Sequence, residues 1–252
     1  MQAFLEQMLG AIGGLANLFT FSGMLVIGAI LSVPMTIIFV AEIFNYQFVP
    51  RAPWIVKVNR RWNAKAVAVM AMAAALSIVL QRVGGFVVLV PGTITFRIDA
   101  SVRFPFGAIF GMPAVWGVMI SNIIGDAITG TLGPGSVAGF VISWWQAYLF
   151  YRLFHRPEEY STIGTGAWVR HYLAVLLWCV IGSYYLCANF KYLNLLPDEV
   201  IWQGVFPAVI VATFIGGLLG PLVARVVGPA AQRYGLSREE MGYERDADRA
   251  AA

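Results

Sequence analysis

The sequence predicts an all-α, polytopic integral membrane protein, and three observations carry that prediction. Of its 252 residues, 59% are hydrophobic and only 12% are charged. Several uncharged runs reach the roughly 17–25 residues that a membrane helix needs. The basic residues cluster at the ends of those runs, where charge sets topology and is no sign of nucleic-acid binding. The N-terminus lacks a basic n-region and does not read as a cleaved signal peptide.

Seven spans are expected along the chain. Residues 18–44 form the first, interrupted by Pro34 and preceded by a short interfacial segment. Residues 45–65 follow as a basic loop with Arg51, Lys57, Arg60, Arg61 and Lys65 and no acid. Residues 66–81 form the second span. Residues 82–103 open with Gly84-Gly85, run through β-branched positions and contain Pro91-Gly92, which suits a short re-entrant or hairpin element. Residues 104–112 form a short helix ended by Pro113, and residues 113–132 the next span. Gly133-Pro134-Gly135 breaks the chain sharply. Residues 136–154 follow, then a polar loop to Arg170, then spans at 172–190 and 201–224 and a charged tail.

The basic residues orient this layout. With the N-terminus outside, thirteen of the seventeen Lys and Arg fall in cytoplasmic segments, as the positive-inside bias requires. The four external ones are Arg82, Arg97, Arg103 and Lys191.

Asp126 is the most informative residue. No other charge lies between Phe104 and Tyr151. A charge at bilayer depth costs at least ~2.5 kcal/mol on insertion scales, so an ionisable group there points to function. Two readings stand side by side: a carboxylate that caps or locks the bundle, and a carboxylate at a transport site. Asn122 and Thr129 lie one turn to either side and share its helix face.

Tyr184, Tyr185 and Asn189 fall at the outer end of their span, level with Trp202 and Gln203 at the start of the last. Arg97, Asp99 and Arg103 belong to the external segment above, which is expected to close over the site as a lid. The competing reading of the aromatics is interfacial anchoring; Trp144 and Trp145 lie deeper, where anchoring explains less.

The second span has a different signature. Ala64, Ala68, Ala71 and Ala75 repeat in alanine-x-x-x-alanine pairs, a spacing that lets helices approach closely in lipid. Packing inside the bundle and docking of a separate membrane subunit both use such a face.

Other chemistry is not indicated. Cys179 and Cys187 lie eight residues apart in one apolar run, about 12 Å along a helix, so no disulfide is expected. His155 and His171, placed in or beside a loop, have no ligand-spaced partner, so no metal site is expected. No G-x-x-x-x-G-K-[ST] occurs, so an ATP-driven step requires a partner. No nucleophile–base constellation is present, so the chain is not expected to be an enzyme. No cofactor is implied.

Residues 66–154 resemble the substrate-binding S component of energy-coupling-factor transporters, the vitamin-uptake family. The resemblance lies in the order of elements: the alanine-rich "AVAVMAMAAALSIVL", the loop "VPGTITFRID", the short helix "FPFGAIFGMPAVWG", Gly125-Asp126 in "SNIIGDAITG", and "GSVAGFVISWWQAYLFYRLF". It implies a six-helix bundle at residues 63–226. Residues 1–62 would add a transmembrane helix and basic loop that the family bundle lacks, and 227–252 a charged cytoplasmic tail. It further implies a small-molecule substrate held near the external face, with the loop residues Arg97 and Asp99 helping to close the site and Asn122, Asp126 and Tyr184 contacting the ligand. Tyr185 and Asn189, at the same level, complete the candidate set. Ala64, Ala68, Ala71 and Ala75 would dock a transmembrane coupling subunit served by two ATPases, in the inner membrane.

Two functions follow. One is capture of a small, vitamin-like molecule for uptake. The other is a non-transporting scaffold within a larger membrane complex, with Asp126 and the alanine face as packing devices.

Overall fold

The computed structural model describes residues 20–49, 54–58, 60, 62–90, 94–130, 132–154 and 165–241. The expected N-terminal interfacial segment, Arg51, Arg61, Pro91-Gly92, His155 and the end of the tail lie outside them. The protein is all-α and multi-pass. Among the described residues five helical stretches are long and apolar enough to cross a membrane, and the strands form only two small hairpins.

Helix α1 (Phe21–Ile43) is capped by Thr20, whose hydroxyl accepts from the Gly23 N–H, and keeps Pro34 in its interior. It ends with Asn45 in the left-handed region (φ 60°), a conformation asparagine tolerates. Strands β1 (Tyr46–Phe48) and β2 (Ile55–Lys57) pair antiparallel where a plain loop was expected. Helix α2 (Ala64–Gly84) starts at Asn63, whose side chain accepts from the Ala66 N–H. Strands β3 (Val88–Val90) and β4 (Ile94–Thr95) then form the hairpin that the Gly- and Pro-punctuated segment 82–103 suggested.

The short helix α3 (Ala100–Phe110) is buried at every position. Gly111, not Pro113, ends it: the φ of 67° breaks the α-helical register. Pro113 instead sits in the first turn of α4 (Met112–Thr129), where its missing N–H leaves no bond unmade. Helix α4 closes on Gly130 (φ 71°), and Pro134 likewise opens α5 (Pro134–Leu153). Helix α5 has the length to span, yet Ser143, Gln146, Tyr148 and Arg152 make it more polar than its neighbours. It can be so because most of it is buried.

Helix α6 (Thr165–Tyr192) starts well before the expected residue 172, absorbing Arg170 and His171. His171 is therefore buried in a helix rather than lying beside a loop, and its Nε2 is 2.9 Å from the Gly217 carbonyl. The expected span 201–224 is divided. A π-helical segment (Val200–Val205) leads into α7 (Phe206–Leu218) just before Pro207, which has no N–H to give. Pro221 then opens a separate helix α8 (Gly220–Arg233). The chain beyond α8 does not leave the body at once: through residue 241 it packs back, with Arg238 and Met241 buried.

Helix α3 forms the centre. Helices α2, α4, α5, α7 and α8 all contact it, and α5 comes closest, since a Cβ at Gly107 would stand 1.9 Å from the Ala147 carbonyl oxygen. Helix α2 turns Ala66, Val69, Ala73 and Ser77 inward towards α4, a stripe at i, i+3, i+7 and i+11. Helix α1 lies outside this group, packed chiefly on α6.

Candidate functional site

The site is built from the start of α3 outward. Asp99 stands at the N-terminus of α3 with its carboxylate fully buried. Arg97 grips it with two bonds, Nε to Oδ1 at 3.1 Å and Nη2 to Oδ2 at 3.0 Å. One turn along, Arg103 approaches the same Oδ2 to 2.6 Å through Nε, an i,i+4 pair with both side chains at zero exposure. One carboxylate thus holds two guanidinium groups. Asp99 spends its side chain on this pair instead of capping its own helix.

Arg103 carries the connection across the bundle. Its Nη1 donates to Ser143 Oγ on α5 at 2.9 Å, and its Nη2 to Ser121 Oγ on α4 at 3.2 Å. A longer contact of 3.5 Å reaches Gln81 Oε1 on α2. Ser143 in turn donates to Asn122 Oδ1 (3.1 Å), and Asn122 Nδ2 to Asp126 Oδ2 (3.3 Å). Asp126 also lies within electrostatic reach of Arg103. The acid that is isolated in sequence is therefore not isolated in space.

Two glycines make room for the amides of this chain. A Cβ at Gly139 would stand 2.7 Å from Asn122 Nδ2, and one at Gly125 would stand 2.6 Å from Gln81 Oε1. Thr129, on the same face as Asp126, turns its hydroxyl to the Gly125 and Asp126 carbonyls at 2.9 and 2.8 Å. Burying charge in apolar surroundings is tolerable only where it is paired and hydrogen-bonded, and this network supplies both.

Four expected site residues, Arg97, Asp99, Asn122 and Asp126, are joined in one network. Its two ends are the accessible parts: the Arg97 side chain is 27% exposed and Asp126 is half-buried. The other three lie apart from it. Tyr184 belongs to an aromatic trio with Trp202 and Phe206, its ring centroid 4.8 Å from that of Phe206. The Tyr185 hydroxyl meets Thr36 Oγ1 of α1 at 3.3 Å. Asn189 donates to the Tyr185 carbonyl at 2.8 Å. Arg103 departs from the expected external segment: it is inside the bundle, because α3 begins before Phe104 and carries it inward. An aspartate four residues before an arginine at the head of an apolar run is the signal that marks it.

A second buried ion pair lies at the other end of α5. Glu42, in the last turn of α1, pairs with Arg60 and accepts from the Tyr148 hydroxyl at 2.6 Å. Arg152 one turn on donates to the Phe48 carbonyl at 2.8 Å. The basic loop is thereby fastened to the bundle, and Arg60 is buried within it.

The alanine helix separates two roles by face. Ala66 and Ala73 are fully buried against the bundle, whereas Ala64, Ala68, Ala71 and Ala75 are exposed. The four are not used for packing among the described residues. Searches with protein-family models, among curated proteins and among solved structures find no match, so the site is judged by its own chemistry.

Proposed function

We propose that the chain is a membrane-embedded capture subunit for a small, vitamin-like molecule. It would hand that molecule to a separate transmembrane coupling subunit driven by ATPase subunits, in the manner of an energy-coupling-factor S component. The observation that carries this reading is the polar network from Arg97 to Asp126. A ligand bearing both hydrogen-bond donors and acceptors finds a carboxylate at one end and a guanidinium at the other. The second support is the exposed stripe Ala64, Ala68, Ala71 and Ala75, flat enough for a partner helix to approach closely. The positive-inside bias favours the inner membrane with the N-terminus outside and the C-terminus cytoplasmic.

Native mass spectrometry of the gently solubilised protein tests the reading, because it reports a retained small molecule and retained subunits together. A bound small molecule that is lost in Asp126→Asn or Arg97→Gln, with the fold intact, supports capture. Wild-type protein that retains partner proteins but takes up no small molecule from the native membrane overturns it. That outcome favours the scaffold reading, to which the Glu42–Arg60 fastening of α1 lends its own support.

A further inference from the structure

Helix α8 is placed by three contacts. Its first residue, Gly220, abuts the His171 ring near the start of α6. The turn beyond it accepts from Lys65 in the first turn of α2, Lys65 Nζ standing 3.4 Å from the Gly235 carbonyl oxygen. Next, Arg238 Nη1 donates to the Tyr151 and Phe154 carbonyls at the end of α5, at 2.9 and 2.6 Å. The start of α6, the start of α2 and the end of α5 all belong to one end of the bundle. Both ends of α8 therefore lie at that end, and the helix runs along the membrane plane instead of crossing it.

Its two faces differ. Small residues, Gly220, Ala224, Gly228 and Ala231, are buried against the body. The opposite face is open and mixed: Leu222 is 50% and Val226 76% exposed, and Arg225 and Arg233 flank them at helical spacing. No acid occurs in residues 220–233. Of the nearby acids, Glu240 is engaged with Ser237 and Glu239 lies beyond the helix. An apolar row edged by arginines, lying level with the ends of membrane-spanning helices, matches the acyl–headgroup boundary of a bilayer.

We propose that this face of α8 is a lipid-binding surface that seats on the anionic cytoplasmic leaflet. Leu222 and Val226 enter the acyl boundary, while Arg225, Arg233 and the exposed Lys65 hold phosphate headgroups. Phosphate-bearing lipid is the occupant that satisfies both halves of the face. A soluble anion would leave Leu222 and Val226 in water, and a purely apolar partner would leave the guanidinium groups unmatched.

The test uses the full chain in nanodiscs of phosphatidylcholine with or without phosphatidylglycerol. An environment-sensitive fluorophore is placed at Val226→Cys and, as the aqueous reference, at Glu239→Cys; protein without an added cysteine is the blank, since Cys179 and Cys187 are buried. The probe at 226 is expected to report an apolar setting and the one at 239 water. Native mass spectrometry is expected to show phosphatidylglycerol enriched on the protein. The preference falls roughly fivefold for each cation removed in Arg225→Gln and Arg233→Gln, and is kept in Arg225→Lys and Arg233→Lys. A water-like signal at 226, or one that turns apolar only with a co-purified protein, overturns the proposal. So does an anionic-lipid preference that the glutamine variants leave unchanged.

Discussion

Arg103 Nε and Asp99 Oδ2 stand 2.6 Å apart with neither side chain exposed, one helical turn from each other at the head of α3. Removing one member leaves a buried charge without its counter-charge, which costs about 3–5 kcal/mol. Asp99→Asn and Arg103→Met are each expected to lower the thermal unfolding midpoint of the detergent-solubilised protein sharply. The double variant should recover part of the loss. Equal and additive losses in a double-mutant cycle would mean that the two side chains are not coupled.

Gly107 and Gly130 separate two reasons for a glycine. A side chain at Gly107 collides with the Ala147 backbone oxygen, and backbone cannot yield as a flexible side chain does. Gly107→Val is expected to cost more than about 3 kcal/mol and to abolish recovery of folded protein. Gly130 has open space but a positive φ, so Gly130→Ala should cost only about 1 kcal/mol, read as a small shift in the melting curve.

The two faces of α2 make opposite predictions. Ala73→Leu forces volume into a fully buried position and should destabilise by about 1–3 kcal/mol. Ala68→Leu and Ala71→Leu are exposed and should stay within about 0.5 kcal/mol of wild type. If the proposed coupling subunit docks there, these two variants lose co-purification of partners while keeping the melting curve.

Glu42 fastens the end of α1 to Arg60 and to Tyr148 of α5. Glu42→Gln leaves Arg60 buried beside a neutral amide and should cost about 3–5 kcal/mol. Tyr148→Phe removes one donor from the same carboxylate and should cost about 1–3 kcal/mol. Limited proteolysis of the segment between α1 and α2 measures the local effect. Unchanged cleavage in Glu42→Gln would show that the hairpin is held by something else.

Legibility in the sequence followed the range of the interactions. Asp126 stood out because its neighbours along the chain carry no charge, and the hairpin after α2 announced itself through Gly84-Gly85 and β-branched residues. Arg103 did not, because an arginine beside Arg97 and Asp99 reads as loop until the helix that swallows it is known. Hydropathy favours long runs, and α3 has eleven residues. Glu42 and Arg60 are eighteen positions apart across a hairpin, a pairing that no local pattern encodes. The alanines were visible, but only packing separates Ala66 and Ala73 from Ala68 and Ala71. Tyr184 and Tyr185 are adjacent in sequence, so their side chains diverge around the helix, one to α7 and the other to α1.

The complete enclosure of α3 has a bearing on how the molecule is made. Too short to cross the bilayer and carrying an arginine, it gains nothing by entering lipid alone. Its wall from α2 is synthesised before it, and those from α4, α5, α7 and the stretch 220–241 come afterwards. A nascent chain halted before residue 220 would keep one side of that arginine-bearing segment uncovered, so the interior is sealed only once the 220–241 stretch has been made.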